Sequence, residues 1–247
     1  MNPYPTLCDD FGVFVYLNTR LDLPATPETV LHFFEGIQKV YPSMTELDRR
    51  EGGEFILEED REQGSCRSVG LEPRRMMSAY LNPPTLEDAD QQHERLLDFA
   101  PYQLDVSTLN CESLDVVFTF DYLYSGNHDE VIAEVLAGNS PLEGLVQLPG
   151  SRVVRYEPTL TMALDDKCRL HARLGVESRT TPFQVQTGQF VETPLSVYFL
   201  VRQEWGKQPF KTFVESYKNQ RRIVQDLVDS YLVPNVLRPL HLTISAK

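Results

Sequence analysis

Stretches of residues with period-two alternation are separated by stretches with helical periodicity, and the order of these stretches can be read twice along the chain. Residues 11–21 (FGVFVYLNTRL) form a continuous β-branched and aromatic run stopped by Pro24, which predicts a strand. Thr26-Pro27-Glu28 then opens a helix. Thr26 supplies the N-cap, Pro27 suits the first helical position, and Val30, Leu31, Phe34, Ile37 and Val40 recur at helical spacing until Tyr41-Pro42 closes it. A meander is expected next, with strands at 54–60, 66–72 and 76–82 and turns at 61–65 and 73–75. After Pro83-Pro84-Thr85 an acidic helix spans 86–99, with a thin apolar face of Leu86, Ala89, His93, Leu96 and Leu97.

The second reading begins with a strand at 112–125 and a short helix at 128–138 ended by Gly138, then a loop through Pro141 and Pro149-Gly150. Strands are expected at 151–164, 167–178, 182–190 and 194–205, with Asp165-Asp166 as a turn. Residues 209–232 form the strongest helix. Its stripe is Phe210, Phe213, Val214, Tyr217, Val224, Leu227, Val228 and Tyr231. Pro234 and Pro239 predict an extended apolar tail over 233–247. The chain thus divides into a first half at 1–109, a second half at 110–232 and the tail.

Residue matches accompany the repeated order. VFVYLN (13–18) falls on VVFTFD (116–121), PETVLHFFEG (27–36) on DEVIAEVLAG (129–138), and Cys66-Arg67 on Cys168-Arg169, each offset by 102 or 103. ILEED (56–60) falls on MALDD (162–166) at a different offset. An internal duplication explains these matches, and two coincident strand-helix-meander units are the other explanation. A β-α-β-meander-α unit used twice resembles, in element order, the saddle-shaped fold of the TATA-binding protein and the related helix-grip domains. The resemblance implies an α+β fold with a sheet curled around a long helix. A pair of ferredoxin-like units is the alternative, and it would need strands at 102–107 and 241–244.

Charge narrows the function classes. Across 247 residues, 23 Lys and Arg stand against 36 Asp and Glu, a net charge of −13. Such a field repels phosphate backbones and argues against nucleic acid as the main partner. Residues 1–99 hold 19 acids and 9 bases, net −10, which leaves 17 acids and 14 bases, net −3, for 100–247. The acidic half suits either a basic partner or simple solvation. The N-terminus has neither a basic nor an apolar leader region, and no apolar run approaches a membrane span, so a cytoplasmic, membrane-free protein is expected. Cys8, Cys66, Cys111 and Cys168 are widely spaced without a CxxC pair, which predicts reduced, mostly buried thiols.

Several strings resemble parts of catalytic signatures. Gly126-Asn127-His128-Asp129-Glu130 resembles one metal-ligand block of the calcineurin-like phosphoesterases, but the companion Asp-x-His and Gly-Asp blocks are missing from the sequence. His241-Leu242-Thr243 resembles one arm of the two-histidine phosphoesterases. His32, His93, His128 and His171 supply no second arm. Gly36, Gly52, Gly53, Gly64, Gly70 and Gly126 fit no nucleotide-binding loop, and neither GxSxG nor HExxH occurs. Glu58, Glu59, Asp60 and Glu62, like Asp165-Asp166, read as solvated turn residues.

In the strands, Phe14 and Tyr16 point to one face and Val13 and Val15 to the other, while Phe118, Phe120, Tyr122 and Tyr124 share a face. An aromatic face of this kind either stacks bases or forms the core beneath helices. The sequence therefore leads to a non-catalytic protein-interaction or assembly protein with no catalytic residue, metal or cofactor assigned. Its partner would be another protein. The alternative is a small-molecule binder or enzyme with a cavity between a curved sheet and helix 209–232.

Overall fold

The computed structural model describes residues 2–50, 52–61, 64–138, 140–206 and 210–247. Its strands are β1 (Asp10–Thr19), β2 (Glu46–Arg49), β3 (Phe55–Glu58), β4 (Cys66–Glu72), β5 (Arg75–Leu81), β6 (Cys111–Tyr124), β7 (Thr159–Ala163), β8 (Leu170–Glu177) and β9 (Thr193–Glu204). They form one open sheet in the order β2-β3-β4-β5-β1-β6-β9-β8-β7, antiparallel throughout. The helices are α1 (Pro27–Gln38), α2 (Leu86–Gln103), α3 (His128–Leu136), α4 (Glu143–Val146), α5 (Pro182–Thr187), α6 (Phe213–Leu227) and α7 (Arg238–Ser245), with a π-helical stretch over Val228–Leu237. The fold is mixed α+β. Among the described residues no helix is long and apolar enough to cross a membrane.

Period-two alternation decides which face of the sheet is covered. Phe11, Val13, Val15 and Leu17 of β1 are fully buried, and their neighbours across the register, Phe120, Phe118, Val116 and Leu114 of β6, are buried beside them. The rings of Tyr4, Phe11, Phe118 and Phe120 meet at centroid distances of 4.7–5.9 Å, mostly edge to face. Against this face lie α2 and α6. Phe213, Tyr217 and Val224 of α6 are buried, and Gln220 reaches into the sheet, where Nε2 donates to the Leu114 carbonyl at 2.7 Å and the Val201 carbonyl at 2.8 Å. The space between α6 and the sheet is therefore filled with side chains. Phe118, Phe120 and Tyr122 belong to this core, not to a base-stacking surface.

Capping chemistry starts most of the helices where the sequence signals it. Thr26, Thr85, Asn127 and Thr212 each accept a backbone N–H in the first turn of α1, α2, α3 and α6. On α1, however, the buried stripe is Val30, Phe33, Phe34 and Ile37, whereas Leu31 faces solvent and Val40 lies past the helix end, partly exposed.

The structure departs from several of these expectations. Residues 182–190 are not a strand. Thr181 accepts from Gln184 N, the Gln184 side chain accepts from Thr181 N, Pro182 follows, and Gly188 closes the turn at φ 69°, so this capping box makes α5. Strand 151–164 shrinks to Thr159–Ala163, because upstream backbone groups bond elsewhere: Asn127 Nδ2 donates to the Val153 carbonyl and Tyr156 N donates to Asp129. The tail is not extended, since the helix runs on through the π-helical stretch and α7. A widened π turn relieves the clash of Pro234 with the preceding turn, and Pro239 falls in the first turn of α7. Finally, 102–107 and 241–244 form no strands, which removes the extra strands that ferredoxin-like units would need. The charged edge strand β2 was not foreseen. The long helix begins at Phe213 behind its Thr212 cap, so Phe210 is not part of its stripe; residue 209, expected as its start, and Glu62 lie outside the described residues.

Candidate functional site

Alternate residues of the same strands form the opposite face of the sheet, away from α2 and α6. Across the register β5-β1-β6-β9, Met77 and Tyr16 lie beside Asp115 and Arg202, while Ala79 and Phe14 lie beside Val117 and Leu200. Next along the strands come Gly12, Thr119 and Tyr198, then Asp10, Asp121 and Ser196. Most of these side chains are half-buried by one another. All but Met77, Ala79, Gly12 and Asp10 line a shallow depression of about 450 Å³ that also involves Arg75, Glu177 and Arg179.

One end of the depression is a polar ribbon running across four strands. Arg202 makes a bidentate pair with Asp115, Nε to Oδ1 at 2.8 Å and Nη2 to Oδ2 at 2.6 Å. Asn18 Nδ2 donates to Asp115 Oδ2 at 3.1 Å, and Arg75 Nε donates to Asn18 Oδ1 at 3.0 Å. Asp115 is almost inaccessible, and this network supplies the hydrogen bonds that its buried oxygens need. The Arg75 guanidinium also lies 5.2 Å from the Tyr16 ring centroid.

The middle is aromatic and aliphatic. Phe14 and Tyr16 stack at 6.3 Å with an interplanar angle of 11°. The Tyr198 ring lies over Gly175, and that of Phe14 over Gly12, in space that a Cβ at either glycine would occupy. Arg173 is 5.7 Å from the Tyr198 ring centroid. Burial pushes the Tyr16 hydroxyl pKa above its ordinary value. At the far end Asp121 faces Asp10 across the β1–β6 pair, and Arg179 Nη2 reaches Ser196 Oγ at 3.4 Å. Burial raises the Asp121 pKa, a hydrogen bond from Ser196 opposes that shift, and the charge of Asp10 adds to it. The arrangement offers hydrogen-bond donors and acceptors at two ends of an apolar floor. It suits binding, and pairs no nucleophile with a base.

Residues suggested by motif fragments have structural partners instead. His128 Nδ1 accepts from Arg179 N at 3.3 Å and its Nε2 faces the Tyr124 carbonyl at 3.2 Å, so a neutral ring ties the end of β6 to the loop after β8. Burial lowers its pKa accordingly. Asp129 accepts from Tyr156 N and Ser178 Oγ. His241 lies on α7. Glu59 binds Arg67 and Ser43, Glu58 pairs with Arg61, and Asp165 accepts from Arg169 N and Leu170 N within its turn. Among the described residues no group of three or more His, Cys, Asp and Glu side chains could hold a metal ion. Cys8, Cys66 and Cys111 are buried and Cys168 is exposed, all as free thiols. Burial pushes the Cys8 thiol up to about 12.

The sequence reading placed Phe14 and Tyr16 on one face but did not single out the ribbon of Arg75, Asn18, Asp115 and Arg202. A usable signal existed. Asp115 and Asp121 interrupt the most apolar strand at even spacing, on the face opposite Phe118 and Phe120. No family model matches the chain, and no curated protein matches it.

Proposed function

We propose that this is a non-catalytic protein-interaction or assembly protein whose working surface is the open face of the sheet. The observation that carries this reading is the covering of a nine-stranded sheet by helices on one side, while the other side presents Phe14, Tyr16, Leu200 and Tyr198 between two polar ends. Aromatic side chains with a polar rim are the composition of protein-binding surfaces. A protein partner suits the face better than a nucleic acid, since Arg75, Arg173, Arg179 and Arg202 are balanced by Asp10, Asp115, Asp121 and Glu177 within a chain of charge −13. The filled interface under α6 favours this reading over a ligand cavity between α6 and the sheet. Free thiols fit a reducing compartment such as the cytoplasm.

The duplicated arrangement belongs to the same proposal. Outward from the central β1–β6 pair the order is β5, β4, β3, β2 on one side and β9, β8, β7 on the other. This supports halves at 1–109 and 110–232 in a TATA-binding-protein-like arrangement, with 233–247 as an added segment. Sequences related to this chain test it: a shared offset of 102 or 103 between the matched positions supports a duplication, and relatives without it remove that explanation.

The function is tested by capture from the native host with wild type, a Tyr16→Ala/Tyr198→Ala variant, and a Leu31→Ser control on the exposed side of α1. A partner retained by wild type and control but reduced about tenfold or more by the double variant is expected. Native mass spectrometry showing a stoichiometric small molecule and no partner would replace this reading with the ligand-binding one.

A further inference from the structure

The two free edges of the sheet differ in chemistry. On β2 the sequence is ELDR, and charge blunts the edge in the usual way. On β7 it is TLTMA, without a charge or a proline, and every residue is exposed. Leu164 N donates to the Leu170 carbonyl and Val176 N to the Pro158 carbonyl, so even-numbered residues of β7 face β8. The N–H and C=O groups of Thr159, Thr161 and Ala163 therefore point outward, where the sheet ends. Leu160 and Met162, on the helix side of the strand, are 53% and 39% exposed.

From this geometry we infer that β7 is a self-association edge, pairing antiparallel with β7 of a second copy about a twofold axis through Thr161. In that register Thr161 meets its own symmetry mate, while Thr159 meets Ala163 at either side. Three pairs exchanging two bonds each use every outward backbone group of the strand. On the other side Leu160 lies beside the second copy's Met162, which covers apolar surface now in water. Net charge opposes this pairing, since two chains of −13 repel, but of the two edges only β7 lets them meet without adding charged side chains within the paired strands. One short strand per copy is a contact of the small, transient class, so association depends on protein concentration. Screening by salt should strengthen it. The contact uses a different surface from the open face, and its failure would leave the proposed function intact.

Sedimentation velocity of the full-length chain over a concentration series tests the inference, together with Thr161→Pro and Thr161→Lys. Proline at 161 removes an outward donor and no bond to β8. Lysine places like charges opposite each other on the axis. A monomer–dimer equilibrium that tightens with salt and shifts at least about tenfold towards monomer in both variants, with unchanged melting, is expected. Should a variant fail to fold, hydrogen exchange of the wild type decides: amides of Thr159, Thr161 and Ala163 should slow as concentration rises. A monomer at every concentration, a dimer indifferent to both substitutions, or exchange at those amides independent of concentration overturns the inference.

Discussion

His93 on α2 is fully buried, with Nδ1 2.8 Å from Ser78 Oγ and its ring edge-on to Tyr217 at 5.8 Å. Burial, with the Arg221 charge second, lowers its pKa to about 3, against a weak opposing pull from the Val13 carbonyl. The native state thus holds His93 neutral, whereas the unfolded chain protonates it below about pH 6.5. Stability from this group is complete above that pH and is lost as pH falls towards about 3, at about 1.4 kcal/mol per pH unit. Urea unfolding should show His93→Phe losing about 2 kcal/mol less than wild type between pH 6.5 and 5, and equal losses would place His93 in contact with water. Nearby, Asp90 accepts from the Tyr217 hydroxyl at 2.5 Å and Arg221 Nε at 2.9 Å. Phe213 packs on Trp205 at 4.6 Å, and Phe213→Ala should cost about 3–5 kcal/mol by denaturant unfolding. A loss under about 1 kcal/mol would mean that the stripe is not core. His93, Phe213 and Tyr217 were legible in the sequence because helical spacing puts each on an apolar face. The bond from Asp90 to Arg221 was not, since its partners are 131 residues apart and nothing local pairs them.

Among elements, the starts of α1, α2 and α3 were legible, because a Thr or Asn cap acts within one turn. Where elements were misread, a distant or competing bond decided. Thr181 and Gln184 close a capping box that outweighs the alternation of 182–190, and Asn127 and Asp129 draw 151–156 away from the sheet. The C-terminal segment shows the same competition. Two prolines argue for an extended tail, yet Leu237 and Leu240 are fully buried and the Tyr122 hydroxyl donates to the Leu237 carbonyl at 3.2 Å. Packing gains there exceed the local cost of Pro234 in a widened turn. Leu240→Ala should therefore cost about 2–5 kcal/mol in thermal or urea unfolding. A loss near zero would return the tail to the status of an appendage.

For the whole molecule, one continuous sheet carries a core on one face and the candidate contact surface on the other. Alternation within each strand was readable, but which face the helices cover depends on how nine strands are ordered, and that order comes from pairings up to 111 residues apart, such as Asp10 with Asp121. Hydroxyl-radical footprinting of the protein alone and in complex with its captured partner tests the central claim most directly. Protection of Phe14, Tyr16, Met77 and Tyr198 is predicted, with Tyr102 and Tyr231, 82% and 65% exposed on the helical side, unchanged. Protection of Tyr102 and Tyr231 with the open-face residues unaltered would contradict it.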